Sequence, residues 1–427
     1  MSRLLTLFAI SLIAAPALAG TTAIVGGKVH TVGPQGTIEN GTVLIVDGRI
    51  AAVGDDVDVP AGADTIDATG KVVTPGLFAP FSQLGLVEVS SSAGPTDGSQ
   101  RGERFTAGFD VADAYNPRST LIAINRVEGV TRAVSAPSPG YPDESGAGHI
   151  LAGLAAIVNL GDDEPIEQRS VAVVVALGES GSYFAGGTRA AAWLMLRNAL
   201  DEALDYREHR RDFERGMRRE YVHGIADLEA LQGVINGNTP MIIGINRASD
   251  IEVLLRFVDE YSVKAIISGG AEAWMLADEL AAAAIPVIVD PTANLPSSFD
   301  ALNARLGATA ILAEAGVKVA ISEGSSHNAR NITQAAGNAV AHGLDWEAAL
   351  RAITLTPAEI YGTANTAGSL EVGKVADVVI WPGDPLEVTN YADQVFIKGE
   401  KIPMVSRQTL LRDRYLKSDG PPAYRKK

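Results

Sequence analysis

Between Val171 and Ile321, short apolar runs alternate with helical stretches, and this rhythm restricts the fold more than any other feature of the chain. The runs are Val171–Leu177, Met241–Ile243, Ala265–Ile267, Pro286–Val289 and Val317–Ile321. Between them, Ser249–Tyr261 and Ala271–Ala284 carry apolar residues at helical spacing. Strands buried on both faces read as unbroken apolar runs, and helices returning the chain between them make βα units with a parallel sheet. The two ends of the chain have a different texture. Val43–Val46, then Asp47-Gly48, then Arg49–Val53 is a hairpin signal, because Asp-Gly tolerates the positive φ of a tight turn. Ala376–Trp381 and Gln394–Ile397, with Lys398-Gly399, repeat that texture near the other end. Two β-rich ends around a βα middle predict one small β-domain assembled from both termini. A chain of 427 residues has room for it beside a barrel of about 250 residues.

Composition bears on function more than on fold. A net charge of −16 leaves no basic footprint for nucleic acid. The absence of cysteine excludes a disulfide framework, a thiolate metal site and a cysteine nucleophile. Residues 1–19 read as a signal peptide: Arg3, the apolar stretch Leu4–Ala15, then Ala17-Leu18-Ala19, with cleavage expected after Ala19. That stretch is short for a bilayer span, so a periplasmic or extracellular protein without a stable membrane anchor is expected. Ala190–Tyr221 reads as a long helical region whose mixed Arg and Glu form a solvated face, with His209 and His223 as surface residues. Ser90–Gln100 and Ser135–Gly148, rich in Gly, Ser and Pro, read as loops over one barrel mouth.

Particular motifs sit at the junctions. Lys71-Val72-Val73-Thr74-Pro75-Gly76-Leu77 resembles the entry to the first barrel strand of the amidohydrolase superfamily. Gly368–Asp377 resembles that family's return to its β-sandwich. Ala335-Ala336-Gly337, His342-Gly343-Leu344 and Thr354–Ala358 resemble its last barrel helices, and the imidazolonepropionase-like members are the most similar. The resemblance implies a (β/α)8 TIM barrel over residues 74–365, with a small β-sandwich domain from 20–73 and 366–427. It also implies hydrolysis at the C-terminal mouth of the barrel, where one or two divalent metals such as zinc activate a water and polarise a carbonyl.

At the positions that match the family's metal ligands, this chain has no ligands. The paired histidines after the first strand correspond to Phe81 and Gln83. The histidines of the fifth and sixth strands correspond to Gly244 and Gly269, and the aspartate of the eighth to Gly324. No lysine lies between Lys71 and Lys264, so none from that interval can serve as a bridging carboxylated lysine. None of the six histidines, His30, His149, His209, His223, His327 and His342, stands at a strand ligand position. Metal affinity depends on ligand number and geometry, so no metal cofactor is expected.

The remaining polar residues near the mouth each admit two readings. Glu323 is either a general base standing in the aspartate's role or an ion-pair partner. Asn246 and Arg247 either bind a ligand, with the guanidinium as a bidentate fork for an anion, or simply open a helix. His327 and Asn328 either face the mouth or cap the next helix. The expectation is a pseudoenzyme that binds a small molecule or peptide, forms a homo-oligomer, or pairs with an active amidohydrolase paralogue. The alternative is a hydrolase of carbon–nitrogen bonds (amide, cyclic amide or peptide) with an atypical or metal-free site.

Overall fold

A computed structural model describes residues 20–89, 94, 96–100, 102, 105–140, 148–323 and 328–416. The proposed signal peptide lies outside the described residues.

The chain opens with five strands: β1 (Thr21–His30), β2 (Thr37–Val46), β3 (Arg49–Gly54), β4 (Asp64–Asp67) and β5 (Val72–Pro75). The β2–β3 turn is the expected Asp47-Gly48, with φ of 48° and 77°. Glycine is needed at position 48 for a second reason, since a Cβ there would lie 2.6 Å from the Lys398 carbonyl oxygen.

The barrel follows, with β6 (Leu77–Ser82), β7 (Val130–Ser135), β8 (Leu151–Asn159), β9 (Ile166–Ala176), β10 (Met241–Ile245), β11 (Ala265–Gly269), β12 (Val287–Val289) and β13 (Val319–Ile321). These eight pair in sequence order, β6 through β13. Ser322 Oγ donates to the Phe81 carbonyl oxygen at 3.0 Å, joining the end of β13 to β6 in a nearly closed barrel. The barrel departs from uniform βα repetition at one place. β8 runs antiparallel to both β7 and β9 and is joined to β9 by a hairpin. β14 (Val378–Trp381), β15 (Gln394–Ile397) and β16 (Glu400–Lys401) then return to the first sheet, where β14 pairs with β5. Ile50 N donates to Lys374 O and Ala376 N to Gly48 O, both at 2.9 Å, which brings the β2–β3 hairpin back onto the entry to β14. The two ends of the chain thus share one small apolar core, including Ile24, Val43, Ile45, Val378 and Phe396.

Side chains of alternating strand positions fill the barrel. Val174, Ile242 and Ile266 occupy one cross-strand rung, and Phe78, Ile288 and Ala320 complete an apolar plug with them. Outward residues such as Val175, Ile243 and Ile267 pack on helix residues Leu196, Leu200, Leu231, Leu254 and Phe257. The barrel is fastened to the β-domain by buried charge. Arg132 on β7 pairs with Asp377 at 2.7 Å and also with Glu167, and Asp377 accepts the Lys398 amide at 2.9 Å.

Candidate functional site

The open site is at the C-terminal ends of the strands, as expected for a barrel of this type. One rung above the apolar plug, β9, β10 and β11 present Ala176, Gly244 and Ser268 as direct cross-strand neighbours. These side chains are too small to meet across the barrel, and a cavity of about 440 Å3 remains. Phe81, Val174 and Ile242 supply apolar lining, and Ser138, Asn246 and Ser268 supply polar groups.

The sequence-predicted positions divide clearly. Phe81, Gly244 and Asn246 line this one cavity. Gly244 is open: a Cβ built on it would meet only the Val175 carbonyl oxygen, at 3.7 Å. Gly269 is closed. Its φ is +100°, and a Cβ there would lie 2.5 Å from Asn246 Oδ1. Asn246 holds that place by accepting the Ala271 amide at 3.2 Å. Gln83 points to the loop after β7, donating to Ser138 Oγ at 3.0 Å. Gly324 and His327 lie outside the described residues.

Arg247 precedes the helix Ala248–Tyr261 and pairs with Asp250 in its first turn at 2.8 Å. Its guanidinium is therefore already engaged with a carboxylate of its own helix. Asn328 begins the short turn Ala329–Asn331 through its backbone carbonyl, which accepts the Asn331 amide at 2.7 Å; its side chain makes no capping bond. Glu323, just past β13, has its carboxyl pKa raised by burial and by the nearby charge of Asp290.

The rim of the cavity rests on groups that sequence reasoning did not single out. Asp300, buried, accepts the Glu179 amide at 2.5 Å and pairs with Arg189, which also reaches Asp250 at 3.1 Å. Glu272, also buried, accepts the Ala248 amide at 2.9 Å and both nitrogens of Asn303. It caps the Ala248–Tyr261 helix, whose own N-cap residue makes no side-chain bond. Asp250, three residues after Arg247, was open to recognition as a helical ion pair. Asp300 had no such signal, because its partners are more than a hundred residues away.

His223 corrects the expectation of a surface residue. Its side chain is only 5% exposed and is hydrogen-bonded to Glu202. His209 is more open, at 36%.

Among the described residues, those at the matched positions do not make up a donor set for a catalytic metal. Phe81 offers no lone pair, Gly244 and Gly269 have no side chain, and the Gln83 amide faces a serine of the adjoining loop. Among the described residues, no group of three or more His, Cys, Asp or Glu side chains is arranged to hold a metal ion.

An eight-stranded barrel, parallel apart from β8, with a β-domain from both termini and an open cavity at the strand ends defines the class of fold to which this chain is compared. Comparison with known proteins agrees. The profile of the amidohydrolase family matches residues 257–403. Amidohydrolase TasK of Hapsidospora irregularis is 22% identical over 397 residues, 85% of this chain and 39% of that protein. The imidazolonepropionase of Geobacillus sp. (strain WCH70) is 48% identical over 54 residues, 11% of this chain and 13% of that enzyme. The chain thus spans well under half the length of these curated relatives. Among solved structures, an amidohydrolase from Thermotoga maritima MSB8 superposes with a TM-score of 0.79 at 23% identity, over 90% of this chain and all of that one. Molinate hydrolase superposes at 0.55 and 18%, over 96% of this chain and 98% of its own. The likeness to amidohydrolases is thus carried in sequence by residues 257–403 and in fold by nearly the whole described chain.

Proposed function

We propose that this protein is an exported pseudoenzyme of the amidohydrolase superfamily, which uses the vacated barrel mouth to bind a small amide- or peptide-like molecule. The observation that carries this reading is the contrast between a hollow mouth and the residues around it. The family scaffold keeps a cavity of about 440 Å3, while the matched ligand positions at Phe81, Gln83, Gly244 and Gly269 lack a set of donors for a divalent cation. Ligand pockets are concave and mostly apolar, with a few placed polar groups; Phe81, Val174 and Ile242 with Asn246 and Ser268 supply that mixture. Pairing with an active amidohydrolase paralogue is a compatible role for the same scaffold.

The test combines three measurements on mature protein purified with zinc present: metal content, turnover of an amide and ester panel, and thermal stabilisation by small amides and peptides. Bound ligand in excess of its Kd raises the unfolding temperature in proportion to the logarithm of its concentration. Sub-stoichiometric metal, no turnover and ligand-dependent stabilisation are expected. Tightly held stoichiometric zinc with turnover overturns the reading. A second reading, carbon–nitrogen bond hydrolysis without a metal, draws support from Glu323, whose raised pKa suits proton transfer. Turnover that survives chelation and disappears in Glu323→Gln selects it.

A further inference from the structure

Outside the barrel mouth, a second cavity of about 580 Å3 lies beside the helix Arg189–Glu214, lined by His149, Glu202, Arg219, Tyr221 and His223. Two imidazoles meet in its wall, His223 buried and His149 half-buried. His149 Nε2 and His223 Nε2 are 3.3 Å apart, and the rings stand edge to face at 88°. The other nitrogen of each ring settles where the protons are. His149 Nδ1 faces the Leu151 amide at 3.1 Å. A backbone N–H can only donate, so this Nδ1 is a bare lone pair and the proton of neutral His149 is on Nε2. His223 Nδ1 faces Glu202 Oε2 at 2.9 Å. The same carboxylate accepts the Val222 and His223 amides at 3.0 Å, so it acts as an ionised acceptor. His223 Nδ1 therefore carries the proton, and its Nε2 is bare.

The result is a one-directional chain of donors: Leu151 N–H to His149, His149 Nε2–H to His223, His223 Nδ1–H to Glu202. Each link is satisfied only while both rings are neutral. An added proton on either imidazole leaves two Nε2–H groups pointing at each other, or puts an Nδ1–H against the Leu151 amide. The same logic disfavours a metal between the rings, since a lone pair on His149 Nε2 would require that clashing Nδ1–H.

We propose that the His149–His223 contact is a proton-operated latch, which joins the start of β8 to the segment before the helix Ile225–Ile235 and opens on acidification. The charged groups around it come from several elements. Glu202, Asp201 and Asp205 lie on the long helix, Arg219 on the connecting segment, and Asp227 on the following helix. Asp201 and Asp205 are already bonded to Tyr261 and Tyr221, at 3.0 and 2.7 Å. Asp227 accepts the Thr106 and Gly108 amides at 2.9 and 2.8 Å.

Burial, with the neighbouring His223, pushes the His149 pKa from 6.5 down to about 4, against the opposing charge of Asp227. A depressed histidine pKa means that the closed form excludes the proton. The latch is whole above about pH 6.5 and is lost as pH falls from there toward about 4. Linkage across that window makes the open population roughly thirtyfold larger at pH 5 than at pH 8.

The test uses the wild-type chain labelled with 15N in its histidine rings and backbone. At pH 8, nitrogen chemical shifts should report an Nε2–H tautomer for His149 and an Nδ1–H tautomer for His223. Hydrogen-exchange protection of the Leu151 amide, corrected for intrinsic rate, should fall roughly thirtyfold between pH 8 and pH 5. His149→Phe, which keeps an aromatic edge against His223, should abolish the pH dependence of protection across Arg219–His223. Any other pair of tautomers, or Leu151 protection that does not change with pH, overturns the latch.

Discussion

Restoring a side chain should have opposite consequences at two glycines that occupy matched ligand positions. At Gly269 the backbone has φ of +100°, and a Cβ would lie 2.5 Å from Asn246 Oδ1. Holding alanine in that conformation costs about 1–3 kcal/mol. Overpacking against Asn246, which is tethered to the Ala271 amide, costs about 1–3 kcal/mol more. Gly269→Ala should therefore lose about 2–6 kcal/mol. At about 2.1 cal/mol/K of unfolding entropy per residue, a chain of 427 residues changes its melting point by roughly 1 °C per kcal/mol. The expected drop is roughly 2–7 °C. At Gly244 the nearest contact to a Cβ is an ordinary 3.7 Å, and no positive φ is involved. Gly244→Ala should be neutral or stabilise by about 0.4–1 kcal/mol, through a less flexible unfolded chain. Scanning fluorimetry on both variants measures the difference. A double-mutant cycle with Asn246→Ala separates the clash from the backbone strain, because only the clash is relieved. Equal melting points for Gly269→Ala and Gly244→Ala would refute the idea that one position is sealed and the other open.

Other consequences can be measured on the same protein. Glu323 has a raised carboxyl pKa, so its effect on stability is most favourable at low pH and is lost as pH rises through and above 4.5. Glu323→Gln should thus gain more melting temperature at pH 7 than at pH 4, and an equal gain at both counts against the assignment. Asp377→Ala leaves Arg132 with Glu167 alone and the Lys398 amide without its acceptor. A loss of about 3–5 kcal/mol is expected in thermal unfolding, and a change within 1 °C would show that this ion pair does not fasten the domains. Gly244→Trp fills the mouth cavity and should abolish stabilisation by any small-molecule ligand found in the screen, whereas persistence of that stabilisation locates the ligand elsewhere. Intact-mass analysis after expression with an export pathway should show a chain beginning at Gly20, and an uncleaved Met1 would contradict the signal reading.

Much of the architecture was legible in residue order. The apolar runs at Val171, Met241, Ala265, Pro286 and Val317 became β9 to β13, because a strand buried on both faces must be apolar throughout. Asp47-Gly48 made its hairpin because few other pairs accept two positive φ angles. That Phe81, Gly244 and Gly269 carry no donor side chain is a property of the residue types themselves, since a glycine or phenylalanine cannot coordinate whatever surrounds it. Tertiary structure alone decided the rest. Leu151–Asn159 and the 171–176 part of β9 are both apolar runs, and burial does not encode direction; the hairpin between β8 and β9 reversed β8. His223 lies beside a charged helix in sequence, yet Glu202, twenty-one residues earlier, folds against it and holds it in the interior. Asp300 reaches Arg189 and the Glu179 amide only when the barrel closes its rim. Local sequence sets which conformations a segment prefers and which chemistry its side chains carry. The low-dielectric contacts that give a carboxylate or an imidazole its role come from segments that only the closed barrel brings together.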